Sequence, residues 1–307
     1  MKLTLYKFIK PEYLFPFIQT GRLKLSRLGE TNDPFEYLPS VELESHFKSA
    51  YRKQMPDAKE LVPVDMSEEQ NQLVDAFVSL RSDMEPYASF SLNCSCPLMW
   101  AHYADNHHGA CLVFEIEFED EEGNWPGTHL RLIHYTNERY QIWPAVAKPS
   151  KPEMAKYFSA LLNYKGCVEK AHYWSYEQEL RVFVHEPNQI IKRNEILFYH
   201  DARTYLKGVI IGTQSSISLQ EVKEELQLYN YHQQVTVCNA RMSPDQYLIV
   251  NDFFLDIEQK DYSYLQSCFR YSDYQELEHQ ARLEAQLFFD KLIASEIEKV
   301  KQGMQHH

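Results

Sequence analysis

Alternating apolar and polar positions open the chain: LTLYKF (3–8) reads as a strand, because side chains two apart share a face. PEYLFPFIQTG (11–21) has proline at its start and Gly21 at its end. That spacing predicts a short helix, shortened or kinked at Pro16, before a second strand at RLKLS (22–26). GETNDPFE (29–36) is turn chemistry, since Asn32 and Asp33 can bond neighbouring amides and Pro34 keeps Asp33 out of a helix. Helical spacing then dominates from about Ser40 to Met84, with SEEQ (67–70) as a capping box ahead of Leu73, Phe77 and Leu80. A helical insertion or lid is expected over 40–86. Strands are expected at 87–93, after a short helix and a turn within 98–118, and at 129–135, 179–185, 205–212 and 234–240. Helices are expected over 152–167 and 218–229, and Gly109 is expected to take a positive φ before its strand. Leu277, Leu283, Leu287, Phe288, Leu292, Ile293, Ile297 and Val300 form a near-helical stripe in a long C-terminal helix over 272–302. The pattern as a whole predicts an α+β fold with a central mixed or antiparallel sheet. Residues 1–260 are read as one domain and 261–307 as a helical extension able to mediate self-association.

With 307 residues, 44% of them apolar and 14% aromatic, the chain can bury a sizeable core. No apolar run approaches the roughly 18 residues of a membrane span, and MKLTLYKFIKPEYLF lacks the form of a cleaved leader. Six cysteines without regular spacing suit buried thiols in a reducing compartment, so a cytoplasmic location is expected. A net charge of −13 opposes bulk nucleic-acid binding and acidic membranes, though a local cleft for a small nucleotide stays open.

LYKF (5–8), GRLKLSRLGETNDPFE (21–36), SFSLNCSCPLMWAHYADNHHGACLVFEI (89–116), HYWSYEQELRVF (172–183) and KGVIIG (207–212) resemble, in that order, a bacterial domain-of-unknown-function family, number 2971. The resemblance implies a bacterial accessory protein, with phage defence or toxin activity among its roles. The front half is also similar to ADP-ribosyltransferase-like folds. In those enzymes a first-strand residue holds a ribose, a Ser or Tyr motif on a second strand supports the nicotinamide ring, and a late Glu orients the ribose. That second resemblance implies NAD as cofactor and glycosyl transfer or glycohydrolysis as reaction. The matching positions are Tyr6 and Lys7, Ser89 and Ser91, and Glu177 or Glu179. Lys7 stands where many such enzymes carry His, and a Lys donates without accepting.

Within YEQELR, an extended backbone would send Glu177, Glu179 and Arg181 to one face. Two carboxylates sharing a site can stabilise the cation that grows as a glycosidic bond breaks, and Arg181 could hold a pyrophosphate. Glu179 and Glu177 are therefore the expected catalytic pair. Tyr6, Lys7, Ser91, Trp100, Tyr103, Arg181 and Asn32 are the expected ligand-binding side chains. The same residues also suit a salt-bridged strand end anchored by Trp174, which would leave a non-catalytic nucleotide- or peptide-binding module. A metal-dependent nuclease or hydrolase is a further alternative, resting on Asp33, His102 and Glu177 meeting in space. No metal is expected, because MWAHYADNHHG lacks helical ligand spacing and Cys94-x-Cys96 is no zinc knuckle.

Overall fold

A computed structural model of the chain describes residues 2–38, 86–119, 122–123, 128–139, 167–184, 189–192, 195–198, 201–231 and 234–252, with single positions between 40 and 75 and between 283 and 298. The chain divides into two compact units. One comprises 1–31, 85–135 and 172–269; the other comprises 32–84, 136–171 and 270–307.

The first unit is organised by one sheet. Its strands are β1 (Lys2–Ile9), β2 (Tyr87–Ser91), β3 (Ala110–Glu119), β4 (Thr128–Leu132), β5 (Glu179–Val184), β6 (Leu206–Ile211) and β7 (Thr236–Asn239). They lie in the order β7-β6-β3-β1-β2-β5-β4, and a short strand, Glu122–Gly123, pairs with β3. All these neighbours run antiparallel except β6 and β7, which are parallel. The helices are α1 (Pro11–Thr20), α2 (Pro97–Tyr103) and α3 (Leu219–Leu228), the last connecting the parallel pair. The α+β class and mixed sheet expected from the sequence are thus observed.

Strand alternation sorts the core into two layers. Leu3 and Leu5 of β1, Phe90 of β2, Leu112 and Phe114 of β3 and Val182 of β5 pack with Leu14, Phe17 and Ile18 of α1 and Val222 of α3. Tyr6, Phe8, Cys111, Val113 and Ile210 turn the other way, onto Met99 and Trp100 of α2. Phe8 meets Trp100 edge to face at 5.1 Å. β1 registers with β3 over eight pairs, from Lys2↔Glu117 to Ile9↔Ala110, but with β2 at the single pair Tyr6↔Ser91. The sheet therefore has a seam between β1 and β2.

Several boundaries differ from the sequence reading for local reasons. α1 runs through Pro16 to Thr20, and Gly21 ends it in the left-handed region at φ 65°, its N–H bonding Phe17 O. The 129–135 strand is broken at Ile133, whose N–H turns to Glu179 O. Gly109 does not take a positive φ; Asp105, Asn106 and His107 do. Glycine is required there by space, since a Cβ would lie 2.1 Å from Ile9 O. Lys24–Leu25 forms a three-stranded sheet with Gln189–Lys192 and Glu195–Phe198, strands that the sequence pattern did not announce.

In the second unit, Asp33 Oδ1 accepts the Phe35 amide at 2.9 Å, the Asx turn anticipated for NDPFE. Within this unit Asp33, Phe35, Glu36, Glu138, Arg139 and Lys170 are among the residues lining a pocket of about 230 Å³. The expected helical insertion, the 152–167 helix and the C-terminal helix fall almost wholly outside the described residues. Lys48, Arg52 and Lys53, and Leu283, Leu287 and Asp290, are among the few described helical positions there.

Candidate functional site

On the α2 side of the sheet, β2 and β5 present polar side chains instead of apolar ones. Register pairs Ser91 with Glu179 and Ser89 with Arg181, and paired residues share a face. Glu177, Glu179 and Arg181 are each at least 96% buried. Charged groups so deeply placed must be paired or bonded, and they are. Arg181 Nε donates to Glu179 Oε1 at 2.9 Å and its Nη2 to Oε2 at 3.0 Å, a two-pronged pair. Ser89 Oγ donates to the same Oε1 at 2.5 Å. The guanidinium lies over the Tyr87 ring, 4.5 Å from its centroid.

Glu177 reaches the same region by a different backbone path from the one expected. Residues His172–Glu177 form a 3-10 helix, Gln178 sits at φ 43°, and the strand begins only at Glu179. The left-handed residue redirects the chain, so the two carboxylates are not successive teeth of one strand face. Tyr103, at the end of α2, donates its hydroxyl to Glu177 Oε1. Ser91 Oγ lies 2.7 Å from Glu177 O and 2.9 Å from Asn93 O, locking the turn. Burial, followed by the charge of Glu179, pushes the Tyr135 phenol well above its ordinary range. Its oxygen accepts the Glu179 N–H at 2.8 Å. Tyr135 lies 44 residues from its partner, and only strand pairing reveals the contact.

Lys7 and Tyr6 part company, as alternation requires. Tyr6 is buried against α2, whereas Lys7 starts on the side of Leu3 and Leu5. The Lys7 Nζ reaches into the seam, donates to Ser89 O at 2.9 Å and lies 5.7 Å from the Phe90 ring centroid. Burial lowers its pKa from 10.5 to about 8, against a raising influence from Glu179. Trp100 is fully buried, its indole N–H bonding Cys94 O at 2.8 Å, so it shapes the wall from behind. Asn32 belongs to the second unit.

A row of rings borders Tyr103. His102 is exposed and lies 6.1 Å from Tyr176, which lies 6.1 Å from Trp174. Trp174 is only half-buried, so it is not the core anchor that the sequence suggested. His107 stacks on Trp100 at 6.4 Å, with its buried Nδ1 lacking a hydrogen-bond partner among the described residues. Burial, with neighbouring His108, lowers its pKa. Cys94, Cys111, Cys167 and Cys238 are buried free thiols, and burial raises Cys111 far above the thiol range. Among the described residues, no three His, Cys, Asp or Glu side chains are grouped to hold a metal ion, and no helix is long and apolar enough to cross a membrane.

A family model described as protein of unknown function (DUF2971) matches residues 99–182. That stretch takes in Tyr103, Glu177, Glu179 and Arg181. The resembling blocks at 5–8, 21–36 and 207–212 lie outside it. No curated protein and no solved structure matches the chain.

Proposed function

We propose that the first unit binds an NAD-like nucleotide and breaks the N-glycosidic bond, passing the ADP-ribosyl group to an acceptor or to water; the family-model match over residues 99–182 takes in the side chains concerned. One observation carries the reading: two nearly buried carboxylates stand close enough for both to act on Tyr135, Glu179 on the sheet and Glu177 at the end of the 3-10 helix, each bonded by a hydroxyl, Tyr103 on Glu177 and Ser89 on Glu179. A carboxylate fixed in a water-poor setting stabilises the cationic ribose that forms as the leaving group departs.

The geometry divides the labour. Glu179 is committed at both oxygens to Arg181, and to Ser89 at one of them, and so serves as the positioning carboxylate. Glu177, held through half-buried Tyr103, takes the ribose. Lys7, whose Nζ bonds Ser89 O beside the Phe90 ring, holds the seam between β1 and β2 from the other face of the sheet. The test is nicotinamide release from NAD by the intact chain. Glu177→Gln should remove turnover with the melting temperature little changed. Glu179→Gln should instead lower stability by about 3–5 kcal/mol, because it strands the buried Arg181. Full turnover by Glu177→Gln would refute the assignment.

The Arg181–Glu179 clasp also favours a second reading, a module that binds the nucleotide without cleaving it. Saturable NAD binding with no nicotinamide released would select that reading.

A further inference from the structure

The connection from α2 to β3 holds three successive left-handed residues, Asp105 at φ 48°, Asn106 at 51° and His107 at 68°. Side chains with a Cβ enter that region singly and at a cost, and Asp, Asn and His are the types that bear it best. A turn wound this way stays closed only while its surroundings hold it. Backbone bonds supply part of the hold. Asn106 N–H donates to Ala101 O at 3.1 Å, His107 N–H to Trp100 O at 3.2 Å and Gly109 N–H to Ala104 O at 2.8 Å. The loop after β6 adds more: Gln214 N–H donates to His107 O at 3.0 Å, and Gly212 N–H to Gly109 O at 2.9 Å. A Cβ at Gly212 would lie 2.2 Å from His107 O, so the two backbones meet at a distance only glycine permits.

The remaining hold is the His107 ring. It lies nearly parallel to the Trp100 indole, 9° apart in plane and 6.4 Å between centroids, and its Nδ1 is buried with no hydrogen-bond partner among the described residues. We propose that this ring is an acid-released catch. While neutral it seats the turn; protonated, it must carry an N–H at both nitrogens, one of them at Nδ1 where no acceptor stands, and it frees residues 104–109 from Trp100 and from the loop after β6.

The surroundings offer the added charge no compensation. α2 presents Trp100, β1 meets the turn through the Ile9 carbonyl at Gly109, and the loop after β6 is Gly212, Thr213 and Gln214; none of these titrates. Within the turn, Asp105 is exposed, and its backbone oxygen lies 2.8 Å from His108 Nδ1. Among the described residues His108 is the titratable group that acts on His107; burial first, and then that neighbour, hold the His107 pKa below the ordinary 6.5. At 6.4 Å the indole also stands beyond the roughly 6 Å over which a ring face attracts a cation. The catch is therefore shut above pH 6.5, and it loosens as pH falls toward the lower value of the folded chain. Release frays the last turn of α2, since Trp100 O and Ala101 O lose partners there. That turn carries Tyr103, whose hydroxyl bonds Glu177.

The test is hydrogen exchange on the full chain between about pH 7 and about pH 5, the window in which histidine changes charge, corrected for the intrinsic pH dependence of exchange. An NMR titration of the His107 ring runs in parallel. Protection at His107, Gly109, Gly212 and Gln214 should fall with pH, by at most about tenfold per unit, while the paired amides of β1 and β3 keep theirs. The ring should titrate below 6.5. Two variants isolate the proton: His107→Phe keeps a flat ring, and His107→Asn keeps a side chain that tolerates the left-handed backbone. Neither titrates, so in both the pH-dependent loss at Gly109, Gly212 and Gln214 should vanish. A parent ring titrating at or above 6.5, four amides that hold their protection, or a loss spread equally over β1 and β3 would overturn the proposal. So would an undiminished loss in either variant that folds.

Discussion

Lys7 shows how a single side chain can make stability depend on pH. Its pKa is about 8 in the fold and 10.5 in an unfolded chain. Below pH 8 both states are protonated, and the cost of burying the ammonium is present in full. Between 8 and 10.5 the folded chain holds fewer protons than the unfolded one, so stability rises with pH. Lys7→Met removes this dependence. Its stability relative to the parent should fall by at most about 3 kcal/mol between pH 7 and pH 10.5, read from denaturant titrations. A difference that stays flat over that range would contradict the buried amine. Gly109 offers a steric counterpart. An added methyl would meet the backbone oxygens of Ile9 and Ala104, which cannot swing aside. Gly109→Ala should therefore cost about 1–3 kcal/mol or more. Gly29→Ala, with nothing within 4 Å, should stay within about 0.5 kcal/mol of the parent. Equal melting temperatures for the two would discard the packing argument. The sequence signalled a special role for Gly109 but not its cause, because the crowding atom belongs to a strand a hundred residues earlier.

At the scale of elements, the legible parts were those whose signals are local. Ser218 caps α3 by accepting the Glu221 N–H, while Glu221 accepts the Ser218 N–H in return. Ser218→Ala should lower stability by about 1 kcal/mol, seen as a lower urea midpoint with an unchanged slope. No change would mean that the box holds nothing. Strands β2, β3, β5, β6 and β7 could likewise be read to within a few residues from apolar runs and flanking turns. The path through Glu177 could not. Two acids separated by one residue look like a strand face, and only the left-handed Gln178 and the turn bonded by Ser91 make the pair something else. Arg181 and Glu179, two apart inside an extended run, obeyed the simple period and were found where it put them. The aromatic row escaped notice because His102 and Tyr176 come from elements over seventy residues apart.

For the whole molecule, each unit is assembled from three separate stretches of chain, so no single contiguous piece reproduces either. β1 is interior to its sheet, with partners on both edges. Deleting residues 2–9 should thus prevent folding outright, not merely fray an end. Loss of native circular dichroism and rapid proteolysis across 86–119 would show it. A protease-resistant product of that deletion would mean that β2 and β3 can pair without it.

Because β1 lies between partners encoded about eighty and a hundred residues later, its leucines and aromatics leave the ribosome long before the strands that cover them. A nascent chain must carry this greasy, β-prone segment uncovered through a large part of its own synthesis. Slowing translation before residue 110 should therefore increase aggregation.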